Sequence, residues 1–288
     1  MAILSIQSHV VFGYAGNSSA VFPMQRLGRE VWAINTVDFS NHSGYGVWKG
    51  KVHGAELVTE LVSGLEDRAV LGHCEAVLSG YLGDASVGRA IVEAVKTVRK
   101  YSPDALYCCD PVMGDAERGI YVKPDIPDII RKELIPLADI TCPNLFELEI
   151  LTGVKISNTE DAVRAINILH EMGPSVVLVT SFKEKDKELS ILASNKNEIF
   201  KITTPELPIG QGVVGTGDMT TAIFLSRFLE TKNIEKSLEM CISSIFSILE
   251  KSLMLSISGK NKLLELKQIE AQEEIISPSH FFSAEKII

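Results

Sequence analysis

Short apolar, β-prone runs alternate along this chain with longer stretches whose apolar positions recur every third or fourth residue. Ile3 to Ile6, Val31 to Asn35, Ala76 to Ser79, Ala105 to Cys109, Asp139 to Thr141 and Val176 to Thr180 read as strands. Several are apolar on successive residues, as expected of strands covered on both faces. Between them, Val87 to Lys100 places Val87, Ile91, Val95 and Val98 on one stripe. Asp161 to Met172 does the same with Val163, Ile166, Leu169 and Met172. Strand, helix, strand in repetition predicts a three-layer α/β/α sandwich with a mostly parallel central sheet and right-handed crossovers. The order changes after residue 180. Leu189 to Ala193 and Glu198 to Thr203 predict a hairpin around Asn195-Lys196-Asn197, then a Pro/Gly-containing loop, then helices to the end. No linker composition, repeat or charge block divides the chain, so 1–288 reads as a single domain.

Composition narrows the classes of function. With 45% hydrophobic and 23% charged residues the chain is neither disordered nor fibrous. A net charge of −9 without a Lys/Arg block argues against nucleic-acid and anionic-membrane binding. A polyanionic nucleotide is still admissible, because local amides and a metal can hold it. The five cysteines, Cys74, Cys108, Cys109, Cys142 and Cys241, form no C-x-x-C pair and mostly sit in apolar runs. They predict buried free thiols in a reducing compartment. With no basic leader and no apolar stretch long enough to span a membrane, a cytoplasmic protein is expected.

Ligands of such sheets bind beyond the carboxyl ends of the strands, and most chemistry-bearing residues here follow strands. Gly215-Thr216-Gly217-Asp218 opens a helical pattern. Free N–H groups at the positive end of a helix suit an anion, and a carboxylate there could take a proton from an attacking hydroxyl. An ordinary capped helix fits the same residues. The overlapping Gly210-Gln211-Gly212-Val213-Val214-Gly215 matches G-x-G-x-x-G, but Pro205 and Pro208 separate it from its strand, so a dinucleotide fingerprint is rejected. No G-x-x-x-x-G-K-[ST] occurs, which excludes a P-loop NTPase.

Asp110-Pro111-Val112-Met113-Gly114-Asp115 offers two carboxylates that a hard cation could share with substrate phosphates, or a solvated strand-ending turn. Asn144 and Glu147 follow Pro143 and fit either a metal and phosphate site or a capping box. Ser8 and His9 end the first strand, Phe39 to Gly46 follows the second, and Tyr81 follows the third. Together they place hydroxyls, imidazoles and an aromatic ring where a small polar heterocycle would bind; His9 and His42 could equally be structural.

These same residues resemble the pyridoxal kinase family. The resemblance is carried by Ser5-Ile6-Gln7-Ser8-His9-Val10, Phe39-Ser40-Asn41-His42-Ser43-Gly44-Tyr45 with Trp48-Lys49-Gly50, Asp110-Pro111-Val112-Met113-Gly114-Asp115 and Gly215-Thr216-Gly217-Asp218, and it runs from residue 3 to Ser279-His280-Phe281-Phe282-Ser283-Ala284. Gly-Thr-Gly-Asp alone marks the wider ribokinase-like superfamily; the two N-terminal segments mark the vitamin B6 branch.

The resemblance implies ATP-dependent phosphorylation of the 5′-hydroxymethyl group of pyridoxal, pyridoxine and pyridoxamine, with Asp218 as base and Gly215, Thr216 and Gly217 as the anion hole. It places Ser8 and Ser43 on the pyridine ring and Val37 and Tyr81 against its faces. It assigns Asp110, Asp115 and Glu147 to Mg²⁺ and phosphates, and Asn144, Thr180 and Ser181 to the ATP phosphates. Gly114 to Val122 would be a flap with Tyr121 at its tip. It also implies a homodimer and a K⁺ or Na⁺ site.

Some positions depart from the family pattern. Ser43 replaces a common Thr, Ile120 stands where some bacterial relatives have Cys, and Cys142 stands where animal enzymes have Thr near the monovalent cation. The stretch from Ser181 to Ser190 is shorter than in animal enzymes. Alternatives are a hydroxymethylpyrimidine kinase on the same fold and a non-catalytic B6 or nucleotide sensor.

Overall fold

The computed structural model describes residues 1–209, 213–257 and 265–288; Gly210, Gln211 and Gly212 of the G-x-G-x-x-G match lie outside them. All six apolar runs become strands, interleaved with helices as the periodicity requires. The chain begins with β1 (Ala2–Phe12), α1 (Asn17–Arg26), β2 (Glu30–Asn41), β3 (Gly50–Val52) and α2 (Ala55–Asp67). There follow β4 (Cys74–Ser79), α3 (Ala85–Tyr101), β5 (Leu106–Cys109), a small hairpin of β6 (Gly114–Asp115) and β7 (Gly119–Ile120), and α4 (Ile126–Ile129). Next come β8 (Ile140–Thr141), α5 (Leu145–Thr152), α6 (Thr159–Met172), β9 (Val176–Phe182), β10 (Glu188–Ser194) and β11 (Ile199–Pro205). The chain closes with α7 (Thr216–Thr231), α8 (Ile234–Ile257), α9 (Gln272–Ile276) and β12 (Glu285–Lys286).

Among the described residues the main sheet runs β12-β11-β10-β9-β8-β5-β4-β1-β2-β3. Its centre, from β9 to β2, is parallel, and the flanking strands are antiparallel. Successive side chains leave a strand on opposite faces, so each apolar run feeds two cores. Leu4, Ile6, Val77, Tyr107, Val177 and Val179 join α2, α3 and α6 on one face. Ile3, Ala76, Leu78, Cys108, Val176 and Leu178 join α1, α7 and α8 on the other. All five cysteines are buried and free, as expected.

Two features position the site. The first is the reversal of strand order at β1, with β2 on one side and β4 on the other. Such a switch point opens a crevice at the carboxyl edge. The second is length: β4 leaves β1 after Ile6↔Ser79, whereas β1 and β2 continue paired to Phe12↔Asn41. This two-stranded ribbon forms one wall of the crevice.

The tail departs from the expected run of helices. After α9 it is extended, and β12 pairs with β11. The backbone N–H groups of His280, Phe282 and Ala284 donate to Ser247 Oγ (3.1 Å), Ser243 Oγ (3.0 Å) and Glu239 Oε1 (2.9 Å) on α8. Four helical residues rise about 6 Å and two extended residues about 6.6 Å, so the two repeats stay in step. Two residues of strand are too few to show periodicity, which is why the pattern does not announce them.

Candidate active site

At the carboxyl edge, β5, β8 and α7 deliver three acidic side chains. Asp110 follows β5 and is buried, and its Oδ2 accepts from Thr221 Oγ1 of α7 at 2.9 Å. Burial first, then the charges of Glu147 and Asp218, push its carboxyl well above the usual range. Pro143 ends β8, and Asn144 caps α5 with Glu147 in a complete capping box. Glu147 is buried, and its oxygens accept from Met113 N (2.9 Å), Gly114 N (3.5 Å) and Asn144 N (2.9 Å). Burial nevertheless raises its pKa to about 7. The capping box and the acidic site are therefore the same residues.

Asp218 lies in the first turn of α7. Burial pushes its carboxyl up to about 6, while the N–H groups of Gly16 and of Asp218 itself pull it back. Gly215 caps this helix at φ +85°, and a Cβ there would lie 2.2 Å from the Tyr14 carbonyl oxygen, so only glycine fits. Ser19 Oγ donates to the Gly215 carbonyl at 2.7 Å. Gly217 faces open space, the opening a phosphoryl group would need over the helix N-terminus. Thr216 spends its hydroxyl on the Val213 carbonyl at 2.8 Å.

Asn144 and Thr180 form an isolated bridge between neighbouring strand ends, and Asn144 Nδ2 donates to the Gly114 carbonyl at 2.9 Å. Ser181 is exposed at φ +62°, where the β9–β10 register shifts. Across the crevice Ser8 is almost buried near the end of β1. Tyr81 is half-buried after β4, and its carbonyl accepts from Thr36 Oγ1 at 2.6 Å. Ser43 is exposed in a short 3₁₀ turn between β2 and β3, capped by His42, whose Nδ1 accepts from Gly44 N at 3.0 Å. His42 is thus structural; burial and the nearby Arg118 lower its pKa. His9 and His53 flank Asp38 at 3.1 and 2.7 Å.

Three expectations change. Val37 is fully buried; its Cγ1 would lie 2.7 Å from a Cβ at Gly83, and it pairs with Val52, so it offers no surface to a ring. Tyr121 is not at the flap tip. The tip is residues 116–118, and Tyr121 follows β7 with its N–H on the Met113 carbonyl at 3.1 Å. Asp115 is taken up by the hairpin turn, although its charge still helps to raise the Glu147 carboxyl. Its Oδ2 accepts from Arg118 Nε at 2.7 Å and its Oδ1 from the N–H groups of Glu117 and Arg118. Burial would raise its pKa, but these donors outweigh it and hold the carboxyl below the usual value.

Among the described residues no three His, Cys, Asp or Glu side chains form a ready-made metal cluster. Asp110, Glu147 and Asp218 nevertheless make no ion pair with a described Lys or Arg. Three carboxyls, of which Asp110 is raised by the charges of the other two, without a described Lys or Arg partner suit a divalent cation that shares its shell with phosphate oxygens. Thr221, bonded to Asp110, and Arg118, bonded to Asp115, are two carboxylate partners that the motifs do not disclose. Thr221 could have been found as the residue one turn beyond Asp218 on the same helix; Arg118, whose guanidinium lies 4.6 Å from the centre of the Tyr121 ring, had only the charged character of its segment as a signal.

A doubly wound sheet with a glycine-capped helix N-terminus and an acidic group at its switch point defines a ribokinase-like small-molecule kinase. A family model described as phosphomethylpyrimidine kinase matches residues 52–262. The chain is 45% identical to the pyridoxal kinase PdxY of Rubrobacter xylanophilus, covering 99% of this chain and 97% of that one. It is 44% identical to the pyridoxal kinase PdxY of Deinococcus radiodurans, covering 99% and 96%. A solved structure of pyridoxal kinase from Leishmania donovani in complex with ADP and pyridoxamine superposes with a TM-score of 0.92 at 31% identity, over 100% of this chain and 99% of that one. The chain belongs to the pyridoxal kinase family. The match to the family model begins at residue 52, beyond Ser8 and Ser43, whereas the full-length relatives cover them.

Proposed function

We propose that this kinase transfers the γ-phosphoryl group of ATP to the 5′-hydroxymethyl group of pyridoxal, and of pyridoxine and pyridoxamine, by direct in-line displacement. The observation that carries this is the position of Asp218 in the first turn of α7, beside the open approach at Gly217 and accepting from the N–H of Gly16, which lies against Ser8. The hydroxyl oxygen forms the new P–O bond, its proton passes to the Asp218 carboxylate, and ADP leaves with the electrons of the broken bond. Amides at the α7 N-terminus stabilise charge on the phosphoryl oxygens. Ser8, Ser43 and Tyr81 hold the ring, while Asn144, Thr180 and Ser181 line the phosphates. Asp110 and Glu147 would hold Mg²⁺, which supplies charge neutralisation at the phosphates; Asp115 serves the hairpin turn. The whole of 1–288 acts as one kinase domain, supported by the continuity of the sheet from β12 to β3.

Purified protein with ATP and Mg²⁺ should release ADP in a pyridoxal-dependent manner, with kcat/KM higher than for hydroxymethylpyrimidine. Asp218→Ala should lower kcat by roughly 10²–10⁴ with little change in ATP affinity. Turnover on the pyrimidine alone would move the chain to the neighbouring branch. Vitamer binding without ADP release would make it a sensor. No described helix is long and apolar enough to cross a membrane, in keeping with a cytoplasmic enzyme. Exposed Phe12 at the end of β1 and Val47 and Trp48 in the β2–β3 loop support a homodimer, which sedimentation would test.

A further inference from the structure

Opposite Ser8, the β1–β2 ladder shifts register. Gln7 pairs with Asn35 and His9 with Asp38, so Ser8 alone faces both Thr36 and Val37. A bulge of this kind re-aims a side chain, and something must hold it at one setting. The side chain of Asn17, at the start of α1 and 4% exposed, reaches both strands at this point. Its Nδ2 donates to the Ile34 carbonyl (3.0 Å), to Asn35 Oδ1 (2.9 Å) and, more weakly, to the Gln7 carbonyl (3.4 Å). Its Oδ1 accepts from Ser5 Oγ at 2.7 Å, and that hydroxyl accepts from Gln7 Nε2 at 3.0 Å. Asn35 continues the chain to Asp38 Oδ1 at 2.9 Å.

The neighbouring Gly16 grips the next peptide. It bridges to His9, and its backbone lies so close that a Cβ would sit 2.1 Å from the Ser8 carbonyl oxygen and 2.3 Å from Ser8 Oγ. Gln7, Ser8 and His9 are thereby held from one side by two consecutive residues.

We propose that Asn17 is a positioning residue for the acceptor alcohol: it pins the β1–β2 bulge and so fixes the direction of Ser8 Oγ. The inference rests on the reading of Ser8 as a ring-binding residue. It predicts a selective defect, because α7 and the acidic group keep their own supports, Ser19 and Thr221.

Asn17→Ala should raise KM for pyridoxal about three- to tenfold, the value of one substrate hydrogen bond, with kcat and KM for ATP within about twofold. A double-mutant cycle with Ser8→Ala decides the mechanism. If Asn17 acts through Ser8, the double variant is no worse than Ser8→Ala alone. Additive effects, or a fall in kcat and ATP affinity together, would overturn the inference while leaving the role of Ser8 intact. An unchanged pyridoxal KM in Ser8→Ala would overturn both. Should Asn17→Ala not fold, Asn35→Ala removes the 2.9 Å contact at the half-buried end of the chain and is expected to raise the same KM, also non-additively with Ser8→Ala; no change in that KM counts against the proposal.

Discussion

Asp218 illustrates how burial tunes a single group. Its carboxyl is raised from 3.8 to about 6, with burial the largest cause and two backbone N–H groups opposing it. A base must be ionised before it can take a proton, so the direction of the pH effect follows. Above about 6 the carboxylate is ready; below it the rate falls about tenfold per pH unit. The pH profile of kcat/KM for pyridoxal should therefore show an acid limb near 6, and a limb near 4 would mean that burial does not govern the base. At the same scale, the sequence disclosed Asp110, Asn144, Glu147 and Asp218 because each follows a strand or opens a helix. It did not disclose the partner of Asp115, since nothing in a local motif reveals that Arg118, three residues on, bonds both oxygens of that carboxylate.

Elements show a different kind of dependence. α8 carries buried serines that periodicity alone would count as weak core positions. The hydroxyls of two of them, Ser243 and Ser247, accept from the extended tail at the matched repeats of helix and strand. Ser243→Ala and Ser247→Ala should each lower stability by about 1 kcal/mol, because each strands a backbone N–H that has no other partner. The check is a lower urea midpoint at unchanged slope, with turnover near wild type. An unchanged midpoint would mean the tail is held by Phe282 and β12 alone. The strands themselves were legible at their centres but not at their ends. β1 and β2 run far beyond their apolar cores because they pair with each other past the point where β4 stops, and pairing beyond the core needs no hydrophobic signal.

On the scale of the whole molecule, the two walls of the crevice meet through one side chain. Arg118, at the tip of the β6–β7 hairpin, pairs with Asp115, covers the Tyr121 ring, and comes close to Gly44 beside Ser43. The β6–β7 hairpin, proposed as the nucleotide flap, and the β2–β3 loop, proposed to bind the ring, therefore share a contact. Exposed ATP would transfer its phosphoryl group to water, and a closed flap prevents that. Arg118→Ala should raise ADP release in the absence of any vitamer and lower the fraction of ATP turnover coupled to vitamer phosphorylation. Unchanged coupling would separate the flap from the loop.

The sequence by itself determined the layered α/β plan, the parallel centre of the sheet, the burial of the cysteines and the identity of the acidic and glycine-rich groups. These follow from periodicity and from residues whose chemistry is local to a few positions. Tertiary structure decided which of those groups face one another, that Val37 is walled off by Gly83, that Asp115 belongs to a turn, and that Asn17 reaches across two strands to the bulge beneath Ser8. Each of these depends on distances between residues far apart in the chain, set by strand order and register, and a linear pattern carries no term for them.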